Sequence, residues 1–344
     1  MTGAAPLLEL RELSTHYVSA RGTRVVRAVD GVSLTLAAGE TLGVVGESGS
    51  GKSTLALSIL RLLPPAAQAV GGQALFEGED LLTKSDVEMR HIRGKKIAMI
   101  LQDPMASLNP LFTVGDQVAE MLRVHEGMGR RSAWDRARDL LRAVRISAPE
   151  TRVGEFPHQM SGGMRQRIVG AIAIACEPRL LIADEPTTSL DVTIQAQYLN
   201  LLAEIQRARG LALIFITHNL GIVAKMCDQL AVMYGGRVVE IGPVRQIFNA
   251  PAHPYTRALL ASIPKMGDGR QRLTAIEGQP PDLAAPPPGC AFHPRCRYAV
   301  EECAREVPPL VVGAPGHRHA CLVARGGKLE GKQAEKISAG TAGP

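Results

Sequence analysis

The chain has 344 residues, 45% of them apolar and 21% charged, which is the balance of a globular protein and excludes a disordered or fibrous one. At about 150 residues per domain, this length predicts two domains, or one large domain with an appendage. Lys and Arg number 39 against 33 Asp and Glu, a net charge of +6 that is too small to argue for nucleic acid, and aromatics at 3% are too few to stack single-stranded bases.

Leu7 to Leu13 and Val32 to Leu36 alternate as strands do, and Thr41 to Val45 is a short apolar run expected of a strand buried on both faces. That run leads directly into the loop GESGSGKST. Apolar residues then recur at helical spacing from Ser53 to Leu63, where Pro64-Pro65 stops the helix. Gln73 to Glu77 and Ile97 to Leu101 read as further strands. From Val114 to Val144 the pattern is helical, with a break at Gly127 to Gly129. A helix from Ser161 to Cys176, a strand from Leu180 to Ala183 and a helix from Val192 to Arg209 follow. The strand Leu211 to Ile216, a helix from Leu220 to Met226 and the strand Leu230 to Tyr234 complete the regular part. Strands alternating with helices predict an α/β domain built on a largely parallel sheet.

Composition shifts after residue 263, with six prolines between Pro264 and Pro288. The expected organisation is a domain over 1–262, a Pro-rich and Cys-rich segment over 263–324, and a disordered tail over 325–344 with almost nothing to bury. No apolar run approaches the ~18 residues needed to span a membrane. The first residues carry no basic segment ahead of an apolar one, so the expected location is cytoplasmic.

The loop after the buried strand carries the clearest chemistry. Gly46, Gly51, Lys52 and Ser53 fit G-x-x-x-x-G-K-[ST], with Glu47, Ser48, Gly49, Ser50 and Thr54 filling the stretch. Glycines let the backbone wrap a phosphate chain, so that amides and a helix N-terminus face the anion. Lys52 adds a charge for the β- and γ-phosphates, and Ser53 a hydroxyl for Mg²⁺. The apolar strand from Leu180 ends in Asp184 and Glu185, where carboxylates of an open α/β sheet meet ligands. Asp184 is the expected Mg²⁺ ligand, and Glu185 the group that orients and deprotonates water.

Ser161-Gly162-Gly163-Met164-Arg165-Gln166-Arg167 resembles the signature of the ATP-binding subunits of ABC transporters, with Met164 where that family usually has Gln. The other landmarks come in the same order. Gln102 resembles the Q-loop glutamine, a Mg²⁺ and water contact. Ser189, Leu190 and Asp191 resemble the D-loop, His218 the switch histidine that senses the γ-phosphate, and Tyr17 the aromatic that stacks on adenine. The resemblance covers residues 7 to about 262 and implies an ABC-type fold: a parallel-sheet core, an antiparallel β subdomain and a helical subdomain. It implies a head-to-tail pair of such domains, each signature closing over the other's ATP. Leu101 to Gln117 and His253 to Pro264 further resemble the peptide and nickel importer ATPases. The resemblance therefore implies an ATPase on the cytoplasmic face of the membrane. It would work with a second, unlike ATPase, two transmembrane permease subunits and an extracytoplasmic binding protein. Peptides or nickel are the cargo so implied. A soluble ABC-type ATPase acting on ribosomes or DNA fits less well, because the chain has one P-loop, one signature and no large insertion.

Of six cysteines, Cys176 and Cys227 stand alone and read as packed thiols. Cys290, Cys296, Cys303 and Cys321 are spaced C-x5-C-x6-C-x17-C. Structural zinc sites more often use tighter pairs, whereas loose spacing in an irregular segment is compatible with an iron–sulfur cluster. A tail of this pattern resembles one that carries a [4Fe–4S] cluster in some peptide-importer ATPases. Zinc, with His293, His317 or His319 recruited, and free or disulfide-bonded cysteines remain the alternatives.

Overall fold

A computed structural model describes residues 5–19, 22–103, 107–188, 190–263 and 275–325. Two sheets carry the chain. The strands in order are β1 Leu8–Val18, β2 Val25–Leu36, β3 Thr41–Val45, β4 Ala67–Phe76, β5 Glu79–Asp80, β6 Ile97–Ile100, β7 Leu180–Asp184, β8 Ala212–Ile216, β9 Gln229–Tyr234, β10 Arg237–Pro243, β11 Val311–Ala314 and β12 His317–His319. The helices used below are α1 Lys52–Ile59, α2 Val114–Glu126, α3 Arg130–Ala143, α4 Gly162–Ile174, α5 Val192–Arg209, α6 Leu220–Met226 and α7 Pro254–Ala261.

The first sheet is antiparallel, in the order β2-β1-β4-β5. The second runs β11-β12-β10-β9-β3-β8-β7-β6. Its strands from β9 to β6 are parallel, while β10, β12 and β11 are antiparallel additions. Every residue of β3, β7 and β8 is buried, which explains why these strands read as unbroken apolar runs. One core packs α2, α3 and α4 beneath one face of the parallel sheet through Val118, Leu122, Ala137, Leu141 and Ile168. A second fills the space between the two sheets around α1, through Leu8, Leu10, Leu36, Leu55 and Ile59.

This arrangement fixes where chemistry occurs. Strands β6, β7, β8 and β3 are neighbours and parallel, so their carboxyl ends deliver Gln102, Asp184 with Glu185, His218 and the Gly46–Ser53 loop to one edge. Open α/β sheets bind ligands at that edge.

Several expected boundaries shift for identifiable reasons. Helix α1 ends at Ile59 and not at Leu63. Arg61 adopts a left-handed conformation at φ 51°, and Arg93 donates to the carbonyls of Leu60 at 2.8 Å and Arg61 at 2.9 Å, satisfying groups that a longer helix would use. The helical stretch from Val114 breaks where the sequence predicts, into two helices, because Gly127 closes α2 in the left-handed region at φ 66°. Helix α4 starts at Gly162 because Ser161 caps it, its hydroxyl accepting from the Met164 amide at 3.3 Å.

The segment beyond residue 263 corrects one expectation. It is not irregular throughout: β12 pairs with β10 through Glu240 opposite His319 and Ile241 opposite Arg318, and β11 pairs with β12. Strand β10 would otherwise end the sheet with a row of unpaired backbone groups. Residues 264–274 lie outside the described residues, as does the tail expected to be disordered over 325–344 apart from Arg325, which ends a short helix, Leu322–Arg325.

The covering hairpin is locked by a buried carboxylate. Glu240 is fully buried, accepts from the amides of Ala252 at 2.7 Å and His253 at 2.9 Å, and accepts from His317 Nε2 at 2.7 Å. Burial pushes its pKa up, but His317 and the two amides outweigh burial and hold Glu240 below the usual carboxylate value. Its stabilisation is therefore complete above the ordinary carboxylate range and is lost as pH falls through the depressed native value. Removing the carboxylate leaves buried donors without a partner, so Glu240→Ala should cost ~3–5 kcal/mol of unfolding free energy at neutral pH. Glu240→Gln should also be less stable than the parent at pH 7, with the gap closing as pH falls below the carboxylate range. Urea titrations at a series of pH values check both.

Candidate functional site

The loop from Gly46 to Ser53 is shaped by crowding. A methyl group on Gly51, which sits at φ 101°, would meet the Ala28 carbonyl oxygen at 2.0 Å, and one on Gly46 would meet the Met233 carbonyl oxygen at 2.2 Å. Only glycine lets the loop pass between β2 and β9. The Lys52 ammonium folds over the loop, donating to the carbonyls of Gly46 at 2.8 Å and Glu47 at 2.9 Å. Burial lowers its pKa, with the charges of Glu185, Asp184 and Glu47 working in the opposite direction.

The loop forms the floor of a cavity of about 620 Å³. Its walls carry Tyr17, Gly46, Ser48, Gly49, Gly51, Lys52, Ser53, Thr54, Gln102, Glu185 and His218, so most of the residues singled out in the sequence meet in one space. The Tyr17 hydroxyl lies 3.3 Å from Thr54 Oγ1, which ties β1 to α1. Asp184 is buried beneath the cavity. Burial raises its pKa against the lowering effect of the Ser53 hydroxyl, and its Oδ1 has no hydrogen-bond partner. A buried, unpartnered carboxylate oxygen beside a serine hydroxyl is a fit donor pair for a divalent cation.

Glu185 is held on both oxygens. His218 Nδ1 lies 3.2 Å from Oε1, while Thr188 donates to Oε2 at 2.9 Å and Gln102 Nε2 at 3.4 Å. Burial raises Glu185, but the bonds from His218 and Thr188 prevail and keep it below its ordinary value, ionised at neutral pH. Its backbone is in the left-handed region at φ 45°, an uncommon conformation for a side-chain-bearing residue and a frequent one at functional sites.

Other predicted residues lie elsewhere. Ser161 and Gly162 are exposed at the start of α4, with Gly163 and Met164 following, and none of them lines the cavity. Asp191 caps α5, accepting from the amides of Thr193 and Ile194 at 3.0 Å each, and Leu190 precedes it half-buried. Ser189 lies outside the described residues. Ser50 is buried in the loop. The Glu47 side chain points away from the cavity floor and pairs with Arg295 at 2.7 and 3.1 Å.

Arg295 is one of three residues that the motifs did not reveal. It also donates to the Tyr234 hydroxyl at 3.1 Å and is almost fully buried, with side-chain exposure of 5%. Tyr255, on α7, accepts from the Glu47 amide at 2.9 Å. Among the described residues of the C-terminal segment, Leu283 lines the cavity. Arg295 sits within the cysteine pattern and Tyr255 within the stretch His253 to Pro264, so both segments were visible, but not their contact with the phosphate loop.

Cys290, Cys296, Cys303 and Cys321 line one small pocket together with His253 and His293. Burial pushes the thiols of Cys290 and Cys296 up to about 11. Among the described residues, no group of three or more His, Cys, Asp or Glu converges as ligands of a metal ion. Cys176 and Cys227 are the packed thiols expected of them, both raised by burial.

A glycine loop on a helix N-terminus, a lysine over it and a held carboxylate at the end of the neighbouring strand define a P-loop ATPase. The family described as ABC transporter matches residues 29–188, and the family described as oligopeptide/dipeptide transporter, C-terminal region, matches residues 239–303. The probable peptide ABC transporter ATP-binding protein y4tR of Sinorhizobium fredii is 51% identical over 92% of this chain and 94% of its own length. The dipeptide transport ATP-binding protein DppD of Bacillus subtilis is 49% identical over 92% of this chain and 94% of its own. Among solved structures, a dimeric ATP-binding cassette in a post-hydrolysis state with ADP and Pi aligns with a TM-score of 0.62 and 26% identity, over 69% of this chain and 99% of that one. The chain belongs to the ATP-binding subunits of ABC transporters, and it is an ATPase of that family.

Breaking the Arg295–Glu47 pair strands a partly buried carboxylate on the phosphate loop. Arg295→Ala should lower stability by ~2–4 kcal/mol. The double variant with Glu47→Gln should recover part of that loss. Thermal melts of the single and double variants measure the coupling.

Proposed function

We propose that this chain hydrolyses ATP to power a peptide importer, working beside a second, unlike ATPase on two transmembrane permease subunits, with an extracytoplasmic binding protein supplying the peptide. Similarity to dipeptide and oligopeptide transport ATP-binding proteins over about nine-tenths of the chain supports the peptide assignment. Among the described residues no helix is long and apolar enough to cross a membrane, so attachment to the cytoplasmic face falls to the permease. The exposed Leu111 and Phe112, between Gln102 and α2, offer apolar surface for such docking.

The observation that carries the catalytic reading is the convergence of Gln102, His218 and Thr188 on Glu185 at the rim of the phosphate loop. In our reading the Lys52 ammonium exchanges its contacts with loop carbonyls for contacts with the phosphates, and Tyr17 packs on the base. Ser53 and Asp184 hold the Mg²⁺ that accompanies ATP and neutralises phosphate charge, with Gln102 reaching toward it. Ionised Glu185 accepts a proton from the attacking water, and His218 keeps that carboxylate aimed while facing the γ-phosphate. Ser161, Gly162, Gly163 and Met164 act on the partner's ATP: they start a helix, with Ser161 and Gly162 exposed, and none of them lines its own cavity.

For the C-terminal segment we favour an iron–sulfur cluster on Cys290, Cys296, Cys303 and Cys321 over zinc. All four thiols line one pocket, while a zinc site needs its donors to converge at ~2.0–2.3 Å from one point. A cluster would cross-link a segment that is poor in hydrophobic core.

A positioned general base contributes typically ~10²–10⁴ in rate. Glu185→Gln should therefore bind ATP and accumulate a closed dimer while turnover falls by about that factor. The test is ATPase activity of the complex reconstituted with its permease and partner ATPase, measured with a panel of peptides and with Ni²⁺. Stimulation by Ni²⁺ alone would move the cargo to nickel, and wild-type turnover by Glu185→Gln would remove Glu185 from its role. Protein purified without oxygen should contain iron and show a broad visible absorption that Cys296→Ser diminishes, whereas colourless protein with stoichiometric zinc would assign the pocket to zinc.

A further inference from the structure

We propose that the C-terminal segment completes the nucleotide site of its own chain, with Leu283 forming an apolar wall against the adenine base. This rests on the reading of the cavity as the ATP site.

The cavity has a lining of two chemical kinds. Its polar lining is Lys52, Ser53, Gln102, Glu185 and His218 around the phosphate loop, and its apolar lining is Tyr17, Val26, Ala28 and Leu283. A nucleoside triphosphate has the same polarity, charged at the phosphates and aromatic at the base. Tyr17, Val26 and Ala28 all come from the β1–β2 pair, so they offer the base one side only. Leu283 arrives from more than 250 residues further along the chain.

Leu283 is also fixed in place. Its carbonyl accepts from the Arg27 amide at 3.0 Å, a main-chain bond to the strand that carries Val26 and Ala28. The preceding Asp282 accepts from Arg24 Nη2 at 3.1 Å on one oxygen and 3.3 Å on the other. Asp282 also closes a turn, its Oδ1 accepting from the Ala284 amide at 2.9 Å and its carbonyl from Ala285 at 3.0 Å. Pro280-Pro281 before it and Pro286 to Pro288 after it restrict the backbone, so little conformational entropy remains to be lost when a ligand packs on the side chain. The Arg24–Asp282 pair is exposed and contributes little energy by itself. Its effect is positional. Twelve residues on, Arg295 holds Glu47 from the same segment, so the segment touches the site at both the base end and the phosphate loop.

The test separates base from phosphate. Binding of Mg²⁺-ATP and of Mg²⁺-tripolyphosphate to the full chain is measured by calorimetry for the parent, Leu283→Ala and Leu283→Ile. Leu283→Ala should weaken ATP by about tenfold and leave tripolyphosphate unchanged, and Leu283→Ile should restore most of the loss. Should Leu283→Ala fail to fold, as its melting curve would reveal, Leu283→Asn carries the same comparison at similar side-chain volume. Unchanged ATP affinity in these variants, or equal loss of ATP and tripolyphosphate, would overturn the proposal while leaving the ATP-site reading intact. A parent protein that binds tripolyphosphate and ATP equally well would overturn the base contact altogether, and one that binds neither would overturn the ATP-site reading and this proposal together.

Discussion

The phosphate loop is clamped between two strands so closely that its conformation is decided by what surrounds it. The carbonyl oxygens of Ala28 on β2 and Met233 on β9 stand where a Cβ on Gly51 or Gly46 would have to be. The loop thus sits where the antiparallel sheet and β9 of the parallel sheet meet. Once those strands are in place the loop has nowhere else to go, and its amides are held in a concave arrangement before any anion arrives. That is preorganisation in its physical sense: the reorganisation cost is met during folding and not during binding.

The same logic extends along the sheet edge. Four adjacent parallel strands end at one side, so Gln102, Glu185 and His218 lie within hydrogen-bond reach although 83 and 33 residues of sequence separate them from Glu185. Glu185 stays ionised because hydrogen bonds with His218 and Thr188 outweigh its burial, and it pays for its position with a left-handed backbone. Asp184, one residue earlier, is buried beside the Ser53 hydroxyl and keeps an unsatisfied oxygen. Two adjacent carboxylates thus acquire opposite characters, one depressed by donors and one raised by burial.

The C-terminal segment is bound to this machinery at several points and by different forces. Main-chain pairing joins β12 to β10, the buried Glu240 ties that strand to His317 and to the start of α7, and Arg295 grips the phosphate loop. Aromatic packing of Tyr234, Tyr255 and Phe292 fills the space between, with ring centroids 4.5–5.4 Å apart. Neither the sheet nor the phosphate loop ends where the ATPase motifs end.

Much of this was legible in the residues. Apolar runs such as Thr41 to Val45 and Leu180 to Ala183 announced buried parallel strands because no other element hides both faces. The glycine loop, the paired acids and the serine-capped start of α4 announced a phosphate site, because the local backbone geometry they require is encoded within a few residues. What the sequence by itself determined was therefore the class of fold, the kind of chemistry and the family. It did not determine that Pro-rich residues would supply two strands to the main sheet, that Arg295 would pair with Glu47, or that Leu283 would line the cavity beside Tyr17. Those contacts join residues from nearly 80 to some 250 positions apart, and nothing local in proline-rich sequence says which distant strand will have a free edge, a buried hydroxyl or an apolar gap to receive it. Only the tertiary structure decided them, because long-range pairing depends on the shape left over when every other element has packed.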